Sequence, residues 1–196
     1  RSDLAGRSRD AQIAVSGRVR TVRDVIETMP TLRSGISRGL DDAAAWREEV
    51  LGAASMLAGI SKGKDDQALR EAFLSVSERV KENPPIVRAA SRLPDGYGTS
   101  NDELLQWIER PELRAIAQHE TRGHMASDLS RYLFAAVFGT VRGYSPKAAD
   151  FPLVLSPDHR NWHSGVFNDR FRVQLADEAS TTVTSHISKD GHYFIH

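Results

Sequence analysis

The chain has 196 residues, 40% hydrophobic and 27% charged, with 26 basic residues against 26 acidic ones and no cysteine. That composition describes a folded domain of ordinary size or two small ones, not a disordered chain, and no apolar run approaches the ~18 residues that cross a bilayer. The missing thiol excludes disulfides, thiolate metal sites and any mechanism with a Cys nucleophile inside this chain.

Residues 1–20 are rich in Arg, Ser and Asp and read as a tether, with a short strand expected at Gln12 to Val15. Their polar start carries no signal-peptide pattern, and the lack of an initiating Met suggests a piece of a longer protein. Thr21 is placed to cap a short helix through Val22, Val25 and Ile26, ended before Pro30. Thr31 to Gly39 is expected to be loop. Asp41 to Ile60 should be a helix, capped by Asp41 or Asp42, because Trp46, Val50, Ala53, Leu57 and Ile60 recur at helical spacing. Ser61 to Lys64 breaks it. A second helix from Asp65 aligns Leu69, Phe73, Val76 and Val80 and stops at Pro84. The short polar link makes the two an antiparallel pair.

Ser91 to Gly98 carries turn chemistry. Ser100 or Asn101 is expected to cap a short helix through Leu104, Leu105, Trp107 and Ile108. His124 to Gly143 reads as a strong helix whose stripe is Leu129, Leu133, Ala136, Val137 and Val141, widened by Phe134 and Phe138. A loop with three prolines follows and holds His159, Arg160, Asn161, Trp162 and His163. Within it Trp162 is more plausible as a core anchor than as a base wedge. Phe171 to Leu175 alternates and reads as a strand. The closing run from Ser180 to His196, STTVTSHISKDGHYFIH, sets β-branched and aromatic residues on either side of an Asp-Gly turn, a hairpin signal. Its Thr184, Ser185, His186, Ser188, Lys189 and Gly191 backbone are groups that bind phosphate or base edges. The expected class is α+β: a mostly helical N-terminal two-thirds and a small antiparallel sheet at the C-terminus.

His119, Glu120, His124 and Asp128 raise the question of a metal. The helical metalloprotease motif needs two His four apart. Here the spacing is five, which turns the imidazoles roughly 140° from each other on a helix. An anion is the better reading: Thr121, Arg122 and free backbone N–H groups ahead of the long helix can meet one. Arg122 can equally pair with Asp128 or Glu120 as a clamp.

The closing run resembles the segment before the last catalytic-domain motifs of bacterial cytosine-5 DNA methyltransferases, where an R-x-L-T-x-R-E stretch follows. Ala179 stands where that family has Pro. His119 to Tyr132, HETRGHMASDLSRY, is similar to the family's H-E-T-R-x-H-x-x-x-D-L-x-R-Y. Thr21 to Arg33, TVRDVIETMPTLR, is similar to the T-V-x-D-A-I-x-x-L-P-x-L that opens its target-recognition region. The three matches fall in the family's order and leave roughly Asp41 to Arg110 uncovered.

The resemblance implies an enzyme that moves a methyl group from S-adenosylmethionine to carbon 5 of cytosine in a specific site of double-stranded DNA, as in bacterial DNA methylation and restriction-modification. The family's Pro-Cys and its Gly-rich cofactor strand are not in this sequence. The chain is therefore expected to be the target-recognition part, not catalytically competent alone, with the catalytic Cys and cofactor pocket in a catalytic domain of the same protein or a separate subunit. Residues 1–40 would join that domain, 41–90 would be a helical hairpin insertion, and 91–196 the target-recognition core. A cytoplasmic location and no membrane partner follow as expectations.

The expected DNA contacts are Thr121, Arg122 and His124, the loop residues Arg160 and Asn161, and the hairpin residues Thr182, Thr184, Ser185, His186 and Lys189. In the family a Thr of this run touches the phosphate of the flipped target nucleotide, a role that maps best onto Thr184. Lys189 suits phosphate or guanine O6 and N7. The zero net charge counts against duplex binding by this piece alone, since phosphate contacts supply much of such affinity. The rival expectation is a non-enzymatic DNA- or protein-binding domain using the helical pair.

Overall fold

The computed structural model describes residues 17–37, 41–158, 162 and 171–182. About half of them are helical, and they include a small two-stranded sheet, so the fold is α+β. In chain order the elements are α1 (Val22–Ile26), β1 (Gly35–Ile36), α2 (Ala43–Ile60), α3 (Gln67–Glu82), α4 (Glu103–Ile108), β2 (Gly123–His124) and α5 (Ala126–Arg142). None of the described helices is long and apolar enough to cross a membrane.

The three long helices form the body. Asp42 caps α2, its Oδ1 accepting from the N–H groups of Ala44 at 2.8 Å and Ala45 at 3.3 Å. The buried face of α2 is small: Val50, Ala53, Ala54, Leu57 and Ala58. Helix α3 contributes Leu69 and Phe73, and α5 contributes Phe134, Ala135, Val137 and Phe138, to one continuous apolar cluster. Phe73 and Leu57 have no exposed surface at all. Full burial of side chains this size contributes about 1.5–3 kcal/mol each. The helical hairpin therefore packs into the same core as α5. A bond from Arg142 Nη2 to the Asp65 carbonyl, 2.7 Å, also ties the end of α5 to the start of the second helix.

The cluster continues through an aromatic knot. Phe151 lies with its ring centre 4.8 Å from Phe134, 5.6 Å from Trp162 and 5.3 Å from Phe171. Trp162 is thus a core residue, 7% exposed. Helix α5 ends at Gly143, which adopts φ 74°, the left-handed conformation that glycine takes without a Cβ penalty, and donates back to the Gly139 carbonyl.

Several local expectations are corrected. The run Thr31 to Gly39, expected as loop, contains β1. The sheet is parallel, pairing Gly35 with Gly123 and Ile36 with His124. The expected antiparallel C-terminal hairpin, like the strand at Gln12 to Val15, lies outside the described residues, save for its first residues Ser180 to Thr182. Helix α5 begins two residues late. The carbonyls of Arg122 and His124 accept from the N–H groups of Gly35 and Ser37 at 3.1 and 2.8 Å, which keeps this stretch extended. His124 and Asp128 accordingly do not share a helical face. Helix α4 is capped by Asp102, not by Ser100 or Asn101: its Oδ1 accepts from the N–H groups of Leu104 at 3.0 Å and Leu105 at 3.3 Å. Within the stretch Phe171 to Leu175, expected as a strand, Val173 forms an isolated β-bridge, and its N–H donates to Ser145 Oγ at 3.0 Å.

Candidate nucleic-acid interface

Beside the helical body the backbone builds an irregular polar layer from residues 30–37, 86–91 and 116–124. Ala89 and Glu120 form an antiparallel bridge. Around it Ala90 N–H donates to the His119 carbonyl, Thr121 N–H to the Arg88 carbonyl and Arg33 N–H to the Val87 carbonyl, at 2.9–3.0 Å. Buried backbone groups need such partners, and here short pairings supply them without long strands.

Arg33 is the anchor of this layer, with its side chain 4% exposed. Its Nε donates to the Ile86 carbonyl at 2.7 Å, and Nη1 and Nη2 hold both oxygens of Asp41 at 2.9 and 2.6 Å. The hydrogen bond from Arg33 holds the Asp41 carboxyl below the usual carboxylate range. Arg88 lies on the other side, Nη1 3.7 Å from Asp41, while Nη2 donates to the Thr121 carbonyl at 2.9 Å. A Cβ at Gly35 would stand 2.9 Å from the Arg88 guanidinium carbon, so a larger residue there would have to shift that side chain.

The stretch His119 to Tyr132 is fixed to the stretch Thr21 to Arg33 at several points. The Thr121 hydroxyl donates to the Arg33 carbonyl at 2.6 Å. His119 Nε2 lies 2.8 Å from the Pro30 carbonyl, which only accepts, so this nitrogen carries the hydrogen. Further on, Asp128 pairs with Arg131 at 2.7 Å, both nearly buried, and Arg131 Nε donates to the Leu155 carbonyl at 2.8 Å. His124 sets its ring edge-to-face with Tyr132 at 5.0 Å, and Tyr132 leans on Phe171 at 6.2 Å.

The stretch ahead of the C-terminal run is fixed to the same N-terminal segment. Val22 and Arg23 N–H, the free donors at the start of α1, donate to the carbonyls of Glu178 and Ala176, both at 2.8 Å. Arg23 Nε and Nη2 meet Asp177 at 2.8 and 3.3 Å. Gln174 grips Thr181 by two bonds: Nε2 to Thr181 Oγ1 at 2.7 Å, and Thr181 N–H to Oε1 at 3.0 Å. A cleft of about 710 Å³ runs alongside, lined in part by Arg23, Thr31, Arg79, Gln174 and Asp177.

Among the residues expected to contact DNA, Thr121, Arg122 and His124 come together on the approach to β2. Thr121 is half-buried with its hydroxyl hydrogen engaged, Arg122 is exposed, and His124 is half-buried against Tyr132. Thr182 belongs to a different element and is exposed. Arg160, Asn161, Thr184, Ser185, His186 and Lys189 lie outside the described residues. Sequence reasoning named Asp41 only as a candidate helix cap and gave Arg33, Arg88 and Gln174 no role. Arg33 and Arg88 find their carbonyl partners 53 and 33 residues away, which no local pattern announces. Asp128, expected as a partner of Arg122, pairs with Arg131, a pairing that the sequence reading missed although its spacing could have announced it, since residues three apart on a helix are neighbours.

The described cations are heavily committed to internal pairs: Arg18 to Asp24, Arg20 to Asp102, Arg23 to Asp177 and Glu27, Arg131 to Asp128, and Arg142 to Asp66. Among the described residues no three His, Asp or Glu side chains are grouped as metal ligands. No protein-family model matches the chain, and no curated protein or solved structure is significantly similar to it.

Proposed function

We propose that this chain is the DNA target-recognition part of a cytosine-5 DNA methyltransferase. The observation that supports the reading is convergence. The three stretches that resemble the family lie far apart in sequence, yet the first is bonded to the second and to the lead-in of the third. Thr21 to Arg33 reaches the second through Arg33 with Thr121 and Pro30 with His119, and the lead-in through α1 with Ala176 to Glu178.

On this reading a catalytic part outside the chain supplies the Cys nucleophile and the S-adenosylmethionine pocket, together with much of the phosphate grip that a neutral chain lacks. This chain chooses the duplex site and holds the backbone of the extruded nucleotide. A base reached only after extrusion needs donors close to the displaced phosphate, and the Thr-Ser run after Gln174 is rich in them.

The test is methyl transfer by the full-length protein. With labelled S-adenosylmethionine and unmethylated duplex DNA, label should enter carbon 5 of cytosine at one sequence context. Exchanging residues 91–196 for those of an enzyme of different specificity should change that context. Label at adenine, no label at all, or an unchanged context after the exchange would each reject the proposal.

A further inference from the structure

Residues 92–115 form an arm that stands on the polar layer. At its neck Ala90 N–H donates to the His119 carbonyl at 3.0 Å and Ile116 N–H to the Ser91 carbonyl at 2.8 Å. None of residues 91–118 is buried, and α4 makes no extended contact with any other element. A helix of six residues is too short to hold itself in water. What holds α4 in this chain is polar and mostly local. Asp102 caps it and meets Arg20, Gly98 N–H donates to Glu109 Oε2 at 2.8 Å, and Arg110 N–H donates to the Tyr97 hydroxyl at 3.2 Å. These bonds leave the Trp107 side chain out in water, 72% exposed, and Leu113 63% exposed. Glu103 lies one turn from Trp107 on the same helical face and is also exposed.

We infer that the arm is the element by which this chain seats on the catalytic part of the methyltransferase, with Trp107 as its anchor. The surface it meets is a protein face with an apolar pocket for the indole and a rim of Lys or Arg. Charge decides between partners. Residues 92–115 carry five acidic side chains against three basic ones, in a chain that is balanced as a whole. An acidic excess is repelled by the phosphates of a duplex, so this face is turned from DNA. The same excess favours a basic protein rim, where complementary charge guides docking and fixes register. Trp is among the side chains that carry most of the binding energy at protein interfaces, because a large rigid ring fills a pocket at little entropic cost. The inference rests on the methyltransferase reading above, which puts a catalytic part outside this chain.

The experiment is hydrogen exchange on the full-length protein without DNA, read at the amides of Gln106 and Glu109, which close the turns of α4. In the wild type they should exchange about a hundredfold more slowly than in an unstructured chain, because a helix this short has little protection of its own. Trp107→Ala should speed them about tenfold and, in step, speed the amides of one basic face of the catalytic part. Trp107 is exposed in this chain, so the variant keeps its fold. Glu103→Lys should speed them about threefold, and by less in high salt, which screens the rim charges. Wild-type amides that exchange as in an unstructured chain overturn the inference, as does a Trp107→Ala variant that exchanges like the wild type. Amides slowed only when duplex is added make DNA the occupant, and amides slowed only at high protein concentration make it a second copy; either result overturns the inference too. Methyl transfer by the same preparation is measured alongside. Label at cytosine with unprotected amides overturns this inference alone, whereas no label at cytosine rejects the methyltransferase reading and, with it, the partner named here.

Discussion

The helical body and the polar layer beside it are held together by opposite means. Around Phe73, α2, α3 and α5 meet through apolar side chains, with the hydrogen bonds from Arg47 and Arg142 at the rim, and the gain comes from area removed from water. Around Arg33, segments from residues 30–37, 86–91 and 116–124 meet through carbonyls, guanidinium groups and one hydroxyl, with little apolar area between them. The first arrangement tolerates any side chain of the right size and shape. The second tolerates few changes, because its bonds are directional and a lost partner leaves a polar group stranded. The body thus supplies stability, and the layer supplies fixed positions for the chain segments that the proposed function needs.

The sharpest contrast comes from the core. Phe73→Ala removes a ring with no exposed surface and should cost about 3–5 kcal/mol. For a chain of this size that is a fall of about 10 °C in melting temperature, read by calorimetry. The layer should remain intact in the folded fraction, with its amide protection lost only in step with the whole. Next comes the first half of α5, where Arg131 and Asp128 are both nearly buried. Arg131→Met leaves the Asp128 carboxylate without that partner and should cost about 3 kcal/mol in denaturant titration. The double variant Arg131→Met with Asp128→Leu should regain most of it. If the double variant is no better than the single, the cost lies in the lost bond to the Leu155 carbonyl and not in the stranded charge.

The same division explains what could be read from the sequence. The body was legible because burial imposes a period: Leu69 and Phe73, or Leu129, Phe134, Val137 and Phe138, announce a helix and its inner face together, although Ala136 of the expected stripe is only half-buried and Ala135 is the buried alanine. The layer was not, because its geometry is written in backbone groups that every residue carries. Nothing in GHM at residues 123–125 says that two of its neighbouring carbonyls are taken by Gly35 and Ser37, which delays α5 to Ala126. Alternation at Phe171 to Leu175 holds over its first three residues, with Phe171 and Val173 buried, Arg172 exposed and Val173 in a β-bridge. It stops at Gln174, which is buried where a regular strand would turn its side chain outward. The candidate site was legible only where residues matched a family pattern. That pattern marked Thr121 and passed over Arg33, which holds the same spot from a different segment.

Smaller effects test the layer itself. Thr121→Val keeps the shape and deletes the hydroxyl that donates to the Arg33 carbonyl at 2.6 Å, so it should cost about 1 kcal/mol of stability. Its effect on duplex binding separates two roles. If the hydroxyl only ties the layer together, the salt dependence of affinity stays as in the wild type. If Thr121 also meets a phosphate, affinity falls at every salt concentration, and more than loss of folded protein explains.

The smallest effect belongs to the Arg33–Asp41 clamp, and it appears as a pH dependence. The hydrogen bond from Arg33 lowers the Asp41 pKa in the folded chain, so the unfolded chain binds this proton more readily. The sign follows: the contribution is fully present above the ordinary carboxylate range, near pH 4, and is lost as pH falls through the lowered folded value. Acid titration of the denaturant midpoint from about pH 6 downward should show this loss, and Asp41→Asn should remove its share of the acid limb while sitting lower at neutral pH. Asp41 is exposed enough for water and salt to screen the pair, so the change stays well below that of the core variants. An acid limb unaltered by Asp41→Asn would mean that Arg33 is held by the Ile86 and Ser34 carbonyls alone, and that the layer keeps its shape without an ion pair.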